Sequence, residues 1–490
     1  MKSIQECVEK KHGFYPEKVL QFGEGNFLRG FADWMIDLAN ENGAYHGSVA
    51  ICQPVGRHLA EHLLHQDCLY TVAMRGMENG KPVEKFRTIT SVSRCLNPVK
   101  DYDEWMRLAE SESLEVIISN TTEAGIAYQE GERLEDRPQS SYPAKLCAFL
   151  YRRYRAFCGS PDKGLLILPT ELIDDNGDRL LEIVKRHARE WALEAAFVRW
   201  LETANAFCNT LVDRIVTGFP KESIEELEQR LGYHDEALVA CEPFNLWVIE
   251  EKGDWKERFP IHRTEADVLW VKDVRPYKKR KVRILNGSHS AVVPLAYLAG
   301  YDTVLSFFKD TLLGNFERAL IADEIIPVVD LPKAELISFA EAVKERYCNP
   351  FIRHYLLDIT LNQSSKFRAR CLPTMREYQK LNGRPAPGFC LALAGMIRFL
   401  QVQEKEGVWY GQRENGQMYP VREDQTVLRF FAECWQKNVE QLVHEVLTSE
   451  LLWGEDKPAA MEKVEETVCE DLQSILERGI VETVKKKMEK

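Results

Sequence analysis

The sequence predicts an α/β N-terminal domain of the Rossmann type with an antiparallel insertion, followed by a mostly α-helical C-terminal domain. From about residue 18 to 275, short β-rich runs alternate with amphipathic stretches, which is typical of a largely parallel sheet. After about residue 281 the apolar residues follow the helical period. The 490 residues are enough for two domains, which we place at 1–280 and 281–490.

Five β-rich runs form the predicted parallel series. They are VLQF (19–22), VAIC (49–52), VIIS (116–119), LLIL (165–168) and LVAC (238–241). Two further runs, YTVAMRG (70–76) and KFRTITSVSRCL (85–96), alternate in polarity around the turn signal NGKP. This pattern favours antiparallel strands, so we expect an antiparallel insertion between the second and third parallel strands.

Helical periodicity dominates the C-terminal part. The clearest stretches are AELISFAEAVKERY (334–347), FCLALAGMIRFLQVQEKEG (389–407) and VLRFFAECWQKNVEQLVHEVL (427–447). Apolar residues three and four positions apart give each stretch one apolar face. We therefore predict that this domain is almost entirely helical.

The composition limits the kinds of partner. Hydrophobic residues make up 45% and charged residues 29%, as in ordinary folded proteins. The net charge of −12 favours neither nucleic acid nor an anionic membrane as a partner. The 13 cysteines include no CxxC pair, and no apolar run is long enough to span a bilayer. We expect a cytoplasmic protein that acts on a small molecule, as a monomer or a small homo-oligomer.

A candidate phosphate-binding loop, GEGNFLRG (23–30), follows the first parallel strand and precedes an amphipathic helix. Such a turn can present backbone N–H groups and the positive end of a helix dipole to a pyrophosphate. Leu28 replaces the third glycine of the usual G-x-G-x-x-G motif, so a simple strand-to-helix turn explains the motif equally well. The candidate cofactor contacts here are Phe22, Gly23, Gly25, Asn26 and Phe27.

Two further segments bear on the cofactor, for which we predict NAD. The second strand ends at Gln53, where an NAD-binding fold often has an acidic residue for the ribose hydroxyls. Gln53 could bond such a hydroxyl, whereas Arg57 could meet a 2′-phosphate or be a solvated helix residue. Thr122 and Glu123 follow the third strand, where a loop would pass the nicotinamide. Glu123 could instead be a carboxylate placed at a helix N-terminus.

The segment KVRILNGSH (281–289) contains the candidate catalytic residues. In a regular α-helix of about 100° per residue, Lys281, His289 and Asn286 lie at roughly 0°, 80° and 140°, opposite an apolar flank. A lysine, an amide and an imidazole supply the proton carrier, oxyanion donor and orienting group that a hydride transfer to a carbonyl needs. A solvated helix face would explain the same pattern.

These residues resemble the signature of the mannitol dehydrogenase family, the polyol-specific long-chain dehydrogenases that work without zinc. The match is Lys281-x4-Asn286-x2-His289. Other segments that match in order are QFGEGNFLRGF (21–31), SNTTEAGI (119–126), ELIDDNG (171–177), FCNTLVDRIVTG (207–218), GYHDEALVACEPF (232–244) and RYCNPFIRH (346–354). The resemblance covers nearly the whole chain. The phrases SYPAKL (141–146), RPYKKRKVRILNG (275–287) and EIIPVVDLP (324–332) are similar to a branch that reduces a ketouronate to an aldonate with NADH.

The resemblance implies roles for the candidate residues. Lys281 would be the general acid in reduction and the base in oxidation, Asn286 would hold the carbonyl oxygen, and His289 would orient substrate hydroxyls. Asn209 aligns with a second oxyanion amide of the family, although an asparagine there could simply cap a helix. The substrate is an anion, so a cation should meet its carboxylate. The candidates, each of which could also be a surface charge, are Arg353, His354, Lys366 and Arg368.

Other functions remain open. Fructuronate reductase and mannitol dehydrogenase activities would use the same mechanism on a different substrate. A dinucleotide-binding protein without catalysis is a further alternative, but it would have no need for Lys281, Asn286 and His289. We expect no metal, because no cysteine stands with histidines in the spacing of a metal-dependent dehydrogenase.

Overall fold

The computed structural model describes residues 1–53 and 59–489. The chain divides into two compact units. The first unit consists of Met1–Gly76 and Val83–Val274, and the second of Met77–Pro82 and Arg275–Lys490. The second unit therefore includes a short segment that lies between two parts of the first in the sequence.

The chain up to Val274 contains both strands and helices. The strands are β1 (Lys2–Ser3), β2 (Glu17–Phe22), β3 (Ser48–Cys52), β4 (Tyr70–Glu78), β5 (Lys81–Ile89), β6 (Val92–Leu96), β7 (Val116–Ser119), β8 (Leu166–Pro169), β9 (Ala206–Phe207), β10 (Thr210–Asp213), β11 (Val216–Gly218), β12 (Tyr233–His234), β13 (Val239–Cys241), β14 (Leu246–Glu250) and β15 (Val268–Val271). The α-helices are α1 (Asn26–Arg29), α2 (Ala32–Glu41), α3 (Leu59–His65), α4 (Tyr102–Arg107), α5 (Tyr142–Ala156), α6 (Asn176–Glu190), α7 (Ala195–Thr203), α8 (Ile224–Leu231) and α9 (Trp255–Arg258).

A six-stranded sheet in the order β6-β3-β2-β7-β8-β9 forms the centre of the first unit. Every neighbouring pair in it is parallel. Its strands are buried, and separate apolar cores pack against the two faces, as all-parallel sheets require. The predicted Rossmann-type architecture is confirmed.

Two runs lie in other sheets than predicted. The end of the proposed antiparallel insertion, β6, is a parallel edge strand of the central sheet and pairs with β3. The run at 238–241 gives β13, which pairs in parallel with β4 in a separate sheet of order β11-β13-β4-β5. The pattern of apolar residues shows that a run is a strand, but it does not show to which sheet the strand belongs. Both placements were wrong for this reason.

The predicted antiparallel insertion survives as a hairpin of β4 and β5. These neighbouring strands are joined by Asn79 and Gly80, whose φ angles are 51° and 72°. Two consecutive residues with positive φ form the tight turn that connects antiparallel strands. The hairpin tip belongs to the second unit, in which Gly80 N donates to Glu345 Oε1 at 2.8 Å.

The chain after Val274 is mostly helical, as predicted. Its α-helices are α10 (Arg275–Arg280), α11 (Ser288–Leu298), α12 (Val304–Lys309), α13 (Thr311–Ala319), α14 (Lys333–Tyr347), α15 (Leu356–Ile359), α16 (Gln363–Arg370), α17 (Leu372–Asn382), α18 (Pro387–Phe399), α19 (Gln425–Cys434), α20 (Val439–Thr448), α21 (Glu450–Trp453), α22 (Val464–Arg478) and α23 (Ile480–Met488). Two π-helices occur at Lys281–Gly287 and Leu320–Ile325. No helix among the described residues is both long and apolar enough to cross a bilayer.

Two predicted helices are shorter than expected. The helix predicted at 389–407 ends at Phe399, and the chain then forms the antiparallel strands β16 (Gln403–Lys405), β17 (Val408–Gln412) and β18 (Met418–Pro420). The stretch 427–447 is divided between α19 and α20. The division falls at Asn438, whose Oδ1 accepts Gln441 N at 2.9 Å and so caps α20.

Helix α11 is held in the core of the second unit by its contact with α18. A Cβ on Gly395 of α18 would overlap the side chain of Leu295 on α11, so only glycine allows this approach. Every residue of α11 is buried, including His289 near its start. The helix that carries a candidate catalytic residue is thus fixed on all sides by packing.

Candidate active site

The loop after β2 leaves space beside its second glycine. Gly23 has a φ of +126°, and its N–H donates to Cys52 O at 3.0 Å. A Cβ on Gly23 would lie 3.1 Å from Asn120 O, whereas a Cβ on Gly25 would meet nothing within 4 Å. The backbone at Gly25 can therefore be approached closely by a phosphate, as the first turn of a dinucleotide-binding fold requires.

Arg29 holds this loop in shape. It is almost completely buried, and it donates from Nε to Glu24 O at 3.1 Å and from Nη2 to Asn26 Oδ1 at 2.7 Å. Its guanidinium also lies over the Tyr70 ring, 5.2 Å from the centroid. Arg29 was not predicted as a site residue from the sequence, although its position three residues after Asn26 in the loop was a signal.

The two phenylalanines of the loop lie in different surroundings. Phe22 is fully buried against Tyr142, with ring centroids 4.9 Å apart, so only its backbone can face a ligand. Phe27 is half-buried and stacks on Phe31 at 5.0 Å. Of the two predicted contacts, Phe27 alone has a side chain near the surface.

A carboxylate does lie beside the end of β3, but it comes from the loop. Gln53 Nε2 donates to Glu24 Oε1 at 3.4 Å, and Gln53 Oε1 accepts from Asn97 Nδ2 at 3.4 Å. Glu24 and Gln53 are both buried. The pair supplies the acceptor groups that ribose hydroxyls need, although the strand end itself has no acidic residue. Arg57 lies outside the described residues.

The loop after β7 has a strained backbone. Thr122 has a φ of 77°, which is uncommon for a residue with a branched Cβ, and the turn Glu123–Gly125 follows it. The buried carboxylate of Glu171 accepts from Thr121 N at 2.8 Å and from Thr121 Oγ1 at 2.9 Å. Backbone strain of this kind persists where neighbouring groups hold the chain in place. Here the carboxylate of Glu171 holds Thr121, the residue before Thr122.

The amide of Asn209 is bonded to the start of α6. Its Oδ1 accepts from Gly177 N at 3.0 Å and from Asp178 N at 3.2 Å, and its Nδ2 donates to Asp178 Oδ2 at 2.8 Å. These bonds satisfy backbone N–H groups that a helix N-terminus leaves without partners. The helix-capping alternative for Asn209 therefore has structural support, and its role as an oxyanion donor stays a prediction.

The catalytic candidates Lys281 and Asn286 lie in the π-helix between α10 and α11. In a π-helix the backbone bonds join residues five apart, so residues i and i+5 follow one another on the same side. The regular α-helix assumed from the sequence would separate these two by about 140°. His289 comes three residues after Asn286, within the first turn of α11, and thus extends the same face. Short π-helical segments are frequent at functional sites.

His289 is buried in a polar and aromatic setting. Its ring stacks on Tyr347 with centroids 3.9 Å apart and meets His354 edge-on at 5.7 Å. Tyr347 is itself fixed, because its hydroxyl donates to Leu285 O at 2.8 Å. Burial lowers the pKa of His289 well below its usual range, and the charges of His354, Arg346 and Arg370 act in the same direction. His289 is therefore neutral, and within the described residues its Nε2 has no hydrogen-bond partner.

The candidate cations differ in their surroundings. Lys366 is half-buried on α16, with Nζ donating to Ile359 O at 2.8 Å. Burial lowers the pKa of Lys366, and the charge of Arg370 adds to this effect. Arg353 is exposed. Arg368 is also exposed, with its guanidinium beside Gly454.

Arg370 was not identified from the sequence, yet it bonds the neighbour of a candidate catalytic residue. Its Nη1 donates to Ser290 Oγ at 3.2 Å, next to His289 in the chain. The signal was its position four residues after Lys366, which places both cations on one face of α16. Arg346 and Tyr347 were also missed as site residues, although they begin the quoted segment RYCNPFIRH.

Among the described residues, His62, His65 and Glu236 form a group that could hold a metal ion. Glu236 Oε2 lies 2.8 Å from His62 Nδ1 and 3.7 Å from His65 Nδ1. The two histidines are exposed, and all three residues belong to the first unit. Whether the reaction needs no metal stays a prediction.

The parallel sheet with its glycine loop and the Lys-Asn-His segment are features of a polyol dehydrogenase. The model of the mannitol dehydrogenase Rossmann domain matches residues 17–262, and that of the mannitol dehydrogenase C-terminal domain matches residues 273–476. The chain belongs to the mannitol dehydrogenase family and is an oxidoreductase that acts on CH–OH groups.

Within the family, the chain is similar to altronate oxidoreductases. Those of Shigella flexneri and Escherichia coli (strain K12) are each 44% identical over 478 residues, which covers 96% of this chain and 97% of theirs. A solved structure of Pseudomonas fluorescens mannitol 2-dehydrogenase with NAD and D-mannitol matches with a TM-score of 0.68 at 22% identity, covering 98% of this chain and 96% of that one. A substrate-free D-sorbitol dehydrogenase gives 0.79 at 18% identity, with the same coverage of both chains. At these identities the two structures support the fold.

Proposed function

We propose that this protein reduces D-tagaturonate to D-altronate with NADH, reversibly, as a step of hexuronate breakdown. The observation that carries the proposal is the 44% identity to altronate oxidoreductases over 96% of the chain. Fructuronate reductase or mannitol dehydrogenase activity is the alternative within the same family. A dinucleotide-binding protein without catalysis is a weaker alternative, because it would not need the Lys281, Asn286 and His289 face.

The first unit carries the groups that suit a dinucleotide. The open space at Gly25 would admit the pyrophosphate, and Gln53 with Glu24 would bond the adenosine ribose. A carboxylate at this position repels a 2′-phosphate, which supports NAD over NADP. When bound, NADH supplies the hydride. Thr122 and Glu123 are proposed to border the nicotinamide.

The second unit carries the proton chemistry. Lys281 is proposed to protonate the oxygen that becomes a hydroxyl and to remove that proton in the reverse reaction. Asn286, which the π-helix places on the same side, would donate from its amide to the oxygen as negative charge develops. His289 is neutral, so we assign it the binding of a substrate hydroxyl through Nε2 and not the transfer of a proton.

The substrate carboxylate needs a cation. We propose that Lys366 and Arg353 contribute positive charge to its binding and that His354, whose pKa burial lowers, contributes a ring N–H. His354 lies against His289 itself. No nucleic acid or membrane is proposed as a partner. We propose the cytoplasm as the location, which the 13 unpaired cysteines support. A monomer or small homo-oligomer remains our expectation.

The test is NADH oxidation with D-tagaturonate, D-fructuronate and D-fructose, using wild type and Lys281→Ala. Turnover that is fastest with tagaturonate and lost in the variant would support the proposal. Faster turnover with one of the other two would transfer the substrate assignment to it. If wild type oxidises NADH with none of the three but binds NADH, the enzyme proposal is wrong for these substrates.

A further inference from the structure

Two half-buried cations of the second unit have no carboxylate partner in the part of the chain that the structure describes. Lys366 and Arg370 lie one helical turn apart on α16. Within the described residues, no Asp or Glu oxygen lies within ion-pair distance of either, and their side-chain hydrogen bonds go to Ile359 O and Ser290 Oγ. Arg376, which is also half-buried in this unit, has such a partner in Asp456, and the buried Arg283 has one in Glu377.

Uncompensated charge of this kind is costly. Removing a cation from water is unfavourable unless an anion or several hydrogen bonds replace the lost hydration. Burial lowers the pKa of both Arg370 and Lys366, which reflects this cost. The charge of Glu423 acts in the opposite direction on the pKa of Lys366, but the carboxylate of Glu423 already accepts Ser364 N at 2.9 Å.

The position of the pair indicates which anion it would meet. Ser290, to which Arg370 donates, follows His289 directly, and Gln363 Nε2 at the start of α16 donates to Ser290 O at 2.6 Å. The two cations are thereby tied to the helix that carries a candidate catalytic residue. Among the described residues, the side-chain bond of Arg370 is from Nη1 to Ser290. A guanidinium can bond both oxygens of a carboxylate with its remaining N–H groups.

We propose that Arg370, supported by Lys366, binds the carboxylate of the substrate and thereby selects sugar acids over neutral sugars. The inference rests on the proposed function, since it concerns the same substrate. Arg370 extends the set of binding residues beyond those that the sequence suggested. The neutral ketose D-tagatose, in which CH2OH replaces the carboxylate, gains nothing from this charge.

The experiment compares Arg370→Gln with Arg429→Gln in the full-length protein. Arg429 is a suitable control because it is exposed on α19 of the same unit and is not among the candidate substrate-binding residues. We expect Arg370→Gln to raise KM for D-tagaturonate roughly 10- to 100-fold, which corresponds to about 1.4–2.8 kcal/mol. NADH affinity and any turnover of D-tagatose should stay as in wild type. Arg429→Gln should leave all of these values unchanged.

The outcomes separate this inference from the proposed function. If wild type turns over tagaturonate and Arg370→Gln has the same KM as Arg429→Gln, the carboxylate assignment is overturned while the proposed function stands. If wild type turns over no ketouronate, the proposed function itself is wrong, and the inference about Arg370 falls with it. Should Arg370→Gln not fold, Arg370→Lys is compared with Arg429→Lys, because lysine keeps the charge but loses the two-pronged geometry. An equal KM in those two variants also overturns the inference.

Discussion

Asn209→Ala distinguishes a structural role of this asparagine from a catalytic one. The substitution removes the acceptor for Asp178 N and the donor to Asp178 Oδ2, whereas Gly177 N keeps Asn176 Oδ1 as a second partner at 3.0 Å. Loss of a helix cap of this kind costs about 1–2 kcal/mol. For a unit of this size, that lowers the melting temperature by roughly 2–5 °C.

The assay is calorimetric melting of the full-length protein together with kcat at saturating NADH and ketouronate. We expect the melting temperature to fall as above, with kcat reduced less than about threefold. Asn438→Ala is the matched control, because it removes a cap from α20 in the other unit. The reasoning is refuted if Asn209→Ala melts like wild type while kcat falls by 10²–10³, the loss expected for an oxyanion donor.

Three further predictions concern the proton carrier, the cofactor loop and a buried acid. Lys281→Ala should lower kcat by roughly 10²–10⁴ with NADH affinity unchanged, and added ethylamine should restore part of the rate; equal kcat in both proteins would contradict this. Gly25→Ala should fold normally, since its φ of −63° suits alanine, but should weaken NADH binding at least about tenfold in a fluorescence titration. Burial raises the pKa of Glu317 from 4.5 to about 7, so its carboxyl destabilises the fold as pH rises through that range. Glu317→Gln should therefore melt at a higher temperature than wild type at pH 8, and the difference should be clearly smaller at pH 5; an equal difference at both pH values would contradict it.

The sequence was sufficient for the architecture because the periodicities are local. Apolar runs identify the strands of the central sheet, and amphipathic stretches identify helices such as α14. The sheet that accepts a strand depends on contacts distant in the chain. The runs that became β6 and β13 were therefore recognised as strands but placed in the wrong sheets.

In the candidate site, too, local sequence features were predicted and features that depend on tertiary contacts were not. Lys281, Asn286 and His289 were found from their spacing, but the π-helix that places the first two on one side has no pattern in the sequence that we recognised. Arg370 was missed because the reason to single it out is that the described residues give it no carboxylate partner. Ion pairs depend on tertiary contacts, which a sequence does not show. Asn209 could be read either as a cap or as a catalytic amide until its hydrogen bonds were known.

The segment Met77–Pro82 has a consequence for experiments on fragments. It belongs to the second unit although the residues on both sides of it belong to the first. A gene piece that starts at Arg275 would lack these six residues and with them the bond from Gly80 N to Glu345. The backbone thus passes from one unit to the other three times, and no single cut yields two complete pieces. Truncation, domain exchange and split-reporter designs should therefore treat the chain as indivisible.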